Sequence, residues 1–186
     1  MIYALIDKES LLSRGLSLEK LSQKLQRLQI PIAQYRNKSQ PLAIQQADLL
    51  LIRQHYHGQL IINDNIELIN LVDGLHLGQE DIRQFSEDLT HAVKIIRTRI
   101  GNKLLGLSTH TLQEIEEANQ LDLDYIGLGA YRGTSTKSDA RVLGEQAVTL
   151  AKHSKHPVGL IGGVKQSDQF GSEITYRVIG SDLYED

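Results

Sequence analysis

The sequence predicts a (β/α)8 TIM barrel, a closed sheet of eight parallel strands surrounded by helices. Short apolar runs rich in β-branched residues recur along the 186 residues, and segments with the 3.6-residue spacing of helices lie between them. Strands that alternate with helices are typical of βαβ units and a parallel sheet. Eight such strands in one short chain favour a closed barrel over the alternative, an open doubly wound sheet.

The candidate strands are recognised by their apolar, β-branched composition. The first contains IYALI and the sixth DYIGLG, and the others have the same character. No internal repeat or linker divides the chain, so we expect a single domain over residues 1–186. The strands are predicted at 2–6, 30–35, 59–63, 73–77, 103–108, 124–129, 157–162 and 175–180.

Helices are predicted between most of these strands, at 17–28, 41–56, 88–100, 111–120 and 140–154. In the first of them, leucines recur at helical spacing behind Ser17, a favoured N-cap residue. Pro41 stands in the first turn of the second, where its missing N–H costs no hydrogen bond. Only 164–173 separates the last two strands and few residues follow Ser181. We therefore expect a shortened seventh segment and a missing or vestigial terminal helix.

The composition indicates a globular protein outside the membrane. Hydrophobic residues make up 40% and charged residues 23% of the chain, which is ordinary for globular domains. No apolar run approaches the ~20 residues that a membrane helix needs, and the N-terminus lacks the pattern of an export signal. Zero cysteines exclude disulfides, thiolate metal sites and cysteine nucleophiles. We expect a cytoplasmic protein, and the sequence leaves homo-oligomerisation open.

The charge gives the protein no general attraction for nucleic acid. The formal net charge is −3 and the pI is about 6.2, whereas nucleic-acid-binding domains are usually basic. Aromatic residues make up 5% of the chain and tryptophan is absent, which argues against a stacking surface for single strands. Any anionic ligand must therefore be bound by local groups.

Polar residues are concentrated after the predicted strands, where parallel barrels build their active sites. Asp64 and Asp81 follow neighbouring strands and are candidate ligands for Mg²⁺, which usually takes one or two carboxylates together with water and phosphate oxygens. Arg36, Lys38 and Lys137 supply cations, and an arginine can bind two phosphate oxygens as a fork. Together these groups predict a diphosphate site.

A second phosphate site is predicted from the glycines after strands seven and eight. Gly162, Gly163, Gly180 and Ser181 have the small side chains that allow backbone amides to hold a monophosphate in barrel enzymes. The loop GLGAYRGTSTKSD at 127–139 adds three successive hydroxyls followed by a lysine. That order is the reverse of the common nucleotide-binding loop, in which the lysine comes first.

Several of these residues also have a structural interpretation. Asp64 is alternatively an N-cap for a helix beginning near Asn65, and Asp81 a cap for the next helix. An isolated basic residue in a loop is usually solvated. His76 is expected to be a packed, hydrogen-bonded histidine, because no second histidine stands at metal-ligand spacing. His110 is either a proton carrier or a first-turn helix residue.

The motifs, taken together, resemble those of the thiamine phosphate synthase family. The resemblance covers essentially the whole chain, and its most specific parts are H-x-G-Q-E-D and T-x-T-K. The matching segments are 34-QYRNK-38, 62-IND-64, 74-GLHLGQED-81, 106-GLSTHT-111, 127-GLGAYRGTSTK-137 and 161-IGGV-164.

This resemblance implies an enzyme that joins a hydroxymethylpyrimidine diphosphate to a thiazole phosphate, forming thiamine phosphate and diphosphate. It implies Mg²⁺ bound by Asp64 and Asp81, and catalytic roles for Arg36, Lys38 and Ser108, with Lys137. The substrate-binding residues that it implies are Gln34, Tyr35, Arg36, Asn37, Lys38, Asn63, Ser108, Thr134, Ser135, Thr136, Lys137, Gly163, Gly180 and Ser181.

The chain departs from the family pattern at a few places. Arg132 stands where the family prefers an apolar residue, Ala130 replaces a proline, and extra residues occur around 83–91. A thiazole tautomerase, with His110 as acid or base, and a non-catalytic phosphate-binding relative are the alternatives. Retention of the complete diphosphate set favours the synthase.

Overall fold

The computed structural model, which describes residues 1–133 and 142–184, closes eight strands into one barrel. Every strand is parallel to the next one in the chain, and the last pairs with the first. This confirms the predicted (β/α)8 barrel. The strands β1 to β8 are Ile2–Asp7, Ile32–Arg36, Gln59–Asn63, Gly74–Leu77, Leu104–Thr109, Tyr125–Leu128, Val158–Leu160 and Tyr176–Ile179.

The helices begin at side chains suited to capping in most of the long segments. Ser17 accepts a hydrogen bond from the N–H of Lys20 (3.3 Å), and Asp88 accepts one from the N–H of His91 (3.0 Å). Pro41 lies at the N-cap position itself. The helices α1 to α7 are Lys8–Ser13, Leu18–Arg27, Leu42–His55, Gln79–Arg83, Leu89–Ile100, Leu112–Ala118 and Gln146–Ala151, and the 3-10 helices are Ile66–Leu71 and Ser181–Leu183.

The connections differ from a regular repeat in two places. Residues 161–175, all of them described, contain no helix, which confirms the predicted shortening between β7 and β8. The stretch 84–88 separates α4 from α5, and Phe85 within it packs against the buried core. The predicted helix at 140–154 is observed only as α7, and residues 140 and 141 lie outside the described ranges.

Apolar side chains form two layers, one inside the barrel and one between the barrel and the helices. Successive side chains of a strand point to opposite faces, so Tyr3 and Leu5 fill the interior while Ala4 and Ile6 pack outward. The same alternation directs Gln34 into the barrel and Tyr35 toward the helices. The alternation along each strand therefore decides which side chains face the interior and reach the barrel mouth, the end formed by the carboxyl ends of the strands.

Within residues 1–133 and 142–184, no helix has the length and apolar character that crossing a membrane requires.

Candidate active site

Lys38, Asp64 and Asp81 meet at the carboxyl ends of three neighbouring strands. The Nζ of Lys38 lies 3.0 Å from an oxygen of Asp64 and 4.0 Å from an oxygen of Asp81. The chain reaches these positions after β2, after β3 and in the first turn of α4. Two carboxylates thus converge on one ammonium group at the barrel mouth.

The backbone shows that neither aspartate is a simple helix cap. Asp64 has a φ of +65°, in the left-handed region that aspartate tolerates better than most residues. Its N–H donates to the carbonyl of His76 (2.9 Å), which joins the ends of β3 and β4. The following 3-10 helix starts after Asn65, and α4 starts after Gly78, both without a side-chain cap. The capping interpretations of Asp64 and Asp81 are therefore wrong.

The electrostatics of this pair favour a bound cation. Burial raises the pKa of the Asp64 carboxyl, the hydrogen bond from Lys38 opposes that rise, and the nearby charge of Asp81 adds to it. The two carboxylates repel each other, and in this structure the ammonium of Lys38 offsets the repulsion.

Arg36 is held by an aspartate that the sequence reasoning missed. Its Nη1 lies 2.5 Å from Asp7 at the end of β1 and 3.9 Å from Glu9. Asp7 also caps α1, because its other oxygen accepts from the N–H of Ser10 (2.8 Å). The available signal was its position: Asp7 is the polar residue that ends the first strand.

Tyr35 and Asn37 are not brought to the mouth. The Tyr35 side chain is 0% exposed, and its hydroxyl donates to Asp48 on α3 (2.5 Å). The amide of Asn37 donates to the same hydroxyl (2.8 Å), and its oxygen accepts from the N–H of Gln40 (3.1 Å). These contacts fix the loop that carries Arg36 and Lys38. They do not support substrate contacts by Tyr35 or Asn37.

A chain of hydrogen bonds crosses the barrel interior between two predicted substrate residues. Gln34 donates to the hydroxyl of Tyr3 (2.9 Å), which is 2.9 Å from the hydroxyl of Tyr125. That hydroxyl lies 3.0 Å from Nδ1 of His76, whose Nε2 lies 2.9 Å from the hydroxyl of Ser108. Gln34 and Ser108 are therefore held in place from within the barrel.

Glycines leave room for the side chains of this hydrogen-bond chain. A Cβ at Gly106 would lie 2.2 Å from the ring of Tyr125, and one at Gly127 would lie 3.1 Å from the ring of His76. Burial lowers the pKa of His76 to about 4. The histidine is therefore neutral at neutral pH, and the packed, hydrogen-bonded role expected for it is observed.

The loop after β7 carries the predicted phosphate glycines in left-handed backbone. Gly162 and Gly163 have φ values of +93° and +62°, and no described residue accepts a hydrogen bond from their N–H groups. Gly180 and Ser181 follow β8, at the start of the last 3-10 helix.

The remaining predicted residues are described in part. Asn63 is buried at the end of β3, two residues after the inward-facing Ile61, so its position in the strand also faces the interior. Nδ1 of His110 lies 2.7 Å from the carbonyl of Gly129, so that nitrogen carries the proton. Thr134, Ser135, Thr136 and Lys137 lie outside the described residues.

Comparison with known proteins decides the family. Residues 2–169 match the model of the thiamine monophosphate synthase family. The chain belongs to the thiamine monophosphate synthase family. Its similarity to individual members extends over most of the chain, as the two relatives below show.

Two relatives of this family illustrate the similarity. The thiamine-phosphate synthase of Dictyoglomus turgidum is 33% identical over 147 residues, which cover 75% of this chain and 62% of the relative. That of Persephonella marina is 34% identical over 144 residues, covering 74% and 65%. The chain thus spans less than two thirds of the length of these curated relatives.

A solved structure of the family has the same fold. The thiamine phosphate pyrophosphorylase of Pyrococcus furiosus superposes with a TM-score of 0.72 over 97% of this chain and 85% of its own. The two sequences are 22% identical, so this comparison speaks to the fold alone.

Proposed function

We propose that this member of the thiamine monophosphate synthase family joins a hydroxymethylpyrimidine diphosphate to a thiazole phosphate. The observation that carries the proposal is the convergence of Asp64 and Asp81 on Lys38, beside Arg36, at three adjacent strand ends. These are the groups that a metal-bound diphosphate needs, and the family membership supports the same activity.

The residues present fit a magnesium ion. Asp64 and Asp81 are close enough to repel each other and are arranged around a cation, here the ammonium of Lys38. Mg²⁺ is commonly held by one or two carboxylates and the phosphate oxygens of a substrate. When bound, it would neutralise negative charge on the departing diphosphate.

The protein's own cations complete that charge neutralisation. The C–O bond to the diphosphate breaks with its electron pair on the leaving oxygen, and the thiazole nitrogen supplies the pair for the new C–N bond. No proton has to be removed from the attacking nitrogen, so no protein nucleophile or base is required. Lys38 and Arg36 contact the diphosphate and stabilise its developing charge, with Lys137 as a third cation.

Positioning is the second task of the site. Gln34 and Ser108, fixed by the interior hydrogen-bond chain, orient the pyrimidine so that its methylene carbon faces the thiazole nitrogen. The amides of Gly162 and Gly163, with Thr134, Ser135, Thr136 and the Gly180–Ser181 backbone, hold the thiazole phosphate. Two anionic substrates are thus held at opposite sides of one mouth.

The purified protein should convert both phosphorylated substrates, with Mg²⁺, into equal amounts of thiamine phosphate and diphosphate. Chelation of the metal should abolish both products. Tautomerisation of the thiazole without coupling would favour the isomerase instead. Thiazole phosphate binding without any turnover would favour the non-catalytic relative.

A further inference from the structure

Arg132, in the loop after β6, binds both ends of the glycine loop after β7. Its guanidinium donates to the two carboxylate oxygens of Asp168 (2.6 and 3.1 Å) and to the carbonyl of Gly163 (2.9 Å). It also lies 4.5 Å above the ring of Tyr131, whose edge packs against Phe170 (5.3 Å between centroids). One side chain from the loop after β6 therefore fixes the loop after β7 at two points.

Asp168 is bound on its own side as well. It accepts a hydrogen bond from the N–H of Lys165 (2.8 Å), and its N–H donates to the carbonyl of Lys165 (3.2 Å), which closes a turn. The Arg132 hydrogen bond lowers the pKa of the Asp168 carboxyl, so the pair stays ionised at neutral pH. Asp168 is therefore bound both by the turn at Lys165 and by the guanidinium of Arg132.

The far part of the segment after β7 has other contacts: Gln166 donates to Asp182 in the last 3-10 helix (2.8 and 2.9 Å), and Arg177 donates to the carbonyls of Gln166 and Asp168 (both 2.7 Å). The contact of Arg132 with the carbonyl of Gly163 extends this support to the glycines. In a regular repeat a helix packs against the strand and fixes the loop before it, but the fully described residues 161–175 contain no helix. Two successive glycines in left-handed backbone have a large conformational freedom to lose on ordering. A loop of this kind binds a phosphate well only if another group has already fixed it.

We propose that Arg132 and Asp168 are positioning residues that hold the amides of Gly162 and Gly163 in place for the thiazole phosphate, where a regular barrel would have a helix between β7 and β8. The substrate named here rests on the proposed function. We call the Arg132–Asp168 pair, with its contact to Gly163, the clamp. The clamp is inferred from these contacts, and it can be tested without turnover.

The test is Arg132→Met, which keeps an unbranched stem and removes the fork. We expect the KM for the thiazole phosphate to rise about tenfold, because loose positioning weakens binding at that site only. The KM for the pyrimidine diphosphate should change by less than about twofold, since Lys38, Asp64 and Asp81 do not contact the clamp. For Arg132→Lys, the KM for the thiazole phosphate should lie between those of the parent and Arg132→Met, because lysine donates hydrogen bonds but cannot form the fork.

The matched control is Arg99→Met. Arg99 on α5 forms an exposed pair with Glu67 (2.6 Å), which lies in the 3-10 helix after β3, whereas the glycine loop follows β7. Its loss should leave both KM values unchanged. Equal rises of both KM values in Arg132→Met, or no rise in either, would overturn the clamp.

A measurement independent of turnover separates the clamp from the proposed function. Amide hydrogen exchange in 161–168 should be faster in Arg132→Met, and inorganic phosphate should slow it less than in the parent protein. If the parent makes no thiamine phosphate, the proposed function fails, and faster exchange with weaker phosphate protection still supports the clamp. Unchanged exchange in this segment refutes the clamp whatever the activity.

Discussion

At the residue scale, the ammonium of Lys38 governs the charge balance of the mouth. It lies within 4.0 Å of both Asp64 and Asp81, and burial together with the Asp81 charge raises the pKa of Asp64. Two carboxylates thus face one lysine, an arrangement that suits the binding of a further cation better than it serves the stability of the fold.

Asp81→Asn should separate these two effects. Turnover should fall by about a hundredfold or more, because a metal ligand is lost. The free energy of unfolding of the metal-free protein should stay constant or rise, since the repulsion on Asp64 disappears and the pKa of Asp64 falls. Activity assays and urea unfolding without Mg²⁺ measure the two quantities. A stability loss in proportion to the activity loss would make Asp81 a structural residue.

His76 gives the protein a predictable dependence on pH. Its pKa is about 4 in the folded protein against about 6.5 in the unfolded chain. Between these values the unfolded chain binds more protons, so the free energy of unfolding falls as the pH falls from about 6.5 toward 4. The contribution is of the order of 3 kcal/mol at about 1.4 kcal/mol per pKa unit.

His76→Gln should flatten that part of the curve. Glutamine has one donor group and one acceptor group for the hydroxyls of Tyr125 and Ser108, but it does not titrate in this range. Urea unfolding at pH 7 and pH 5 should show a smaller difference for the variant than for the parent. Equal differences would assign the acid sensitivity to other groups.

At the element scale, strand alternation separates residues that look equivalent in the sequence. In β2, Gln34 and Arg36 face the interior side, whereas Tyr35 packs against α3. The resemblance implies substrate contacts along the whole motif QYRNK, but Tyr35 and Asn37 hydrogen-bond to each other away from the mouth. The period of two was present in the sequence and would have identified Tyr35 as an outward residue.

Tyr35→Phe tests this assignment. Removing the hydroxyl breaks its bonds to Asp48 and Asn37, so the free energy of unfolding should fall by about 1 kcal/mol or more. Both KM values should remain within about twofold of the parent, because the side chain does not reach the substrate. A large rise in either KM with unchanged stability would show that Tyr35 contacts a substrate and would contradict this prediction.

At the scale of the whole molecule, the two ends of the described chain close the barrel together. The hydroxyl of Tyr184 donates to the carbonyl of Leu5 (2.7 Å) and accepts from the N–H of Asp7 (2.8 Å). Asp7, whose N–H is bound by Tyr184, also forms the ion pair with Arg36. The seam between β8 and β1 thus supports a residue proposed to bind the diphosphate.

Tyr184→Phe should weaken that seam. Two buried backbone groups of β1 would lose their partner, which costs about 1–3 kcal/mol. Thermal unfolding should show the loss. A melting temperature equal to that of the parent would mean that water replaces the hydroxyl at no cost.

The sequence by itself determined the order of strands and helices, the closed barrel and the strand ends that carry the polar residues. These features follow from local periodicity and from the rule that parallel barrels present their loops at one end. The tertiary structure alone decided that Lys38 lies between Asp64 and Asp81, that Asp7 holds Arg36, and that Arg132 pairs with Asp168. Each of these contacts joins side chains from different strand ends, and their geometry depends on the closure of the barrel.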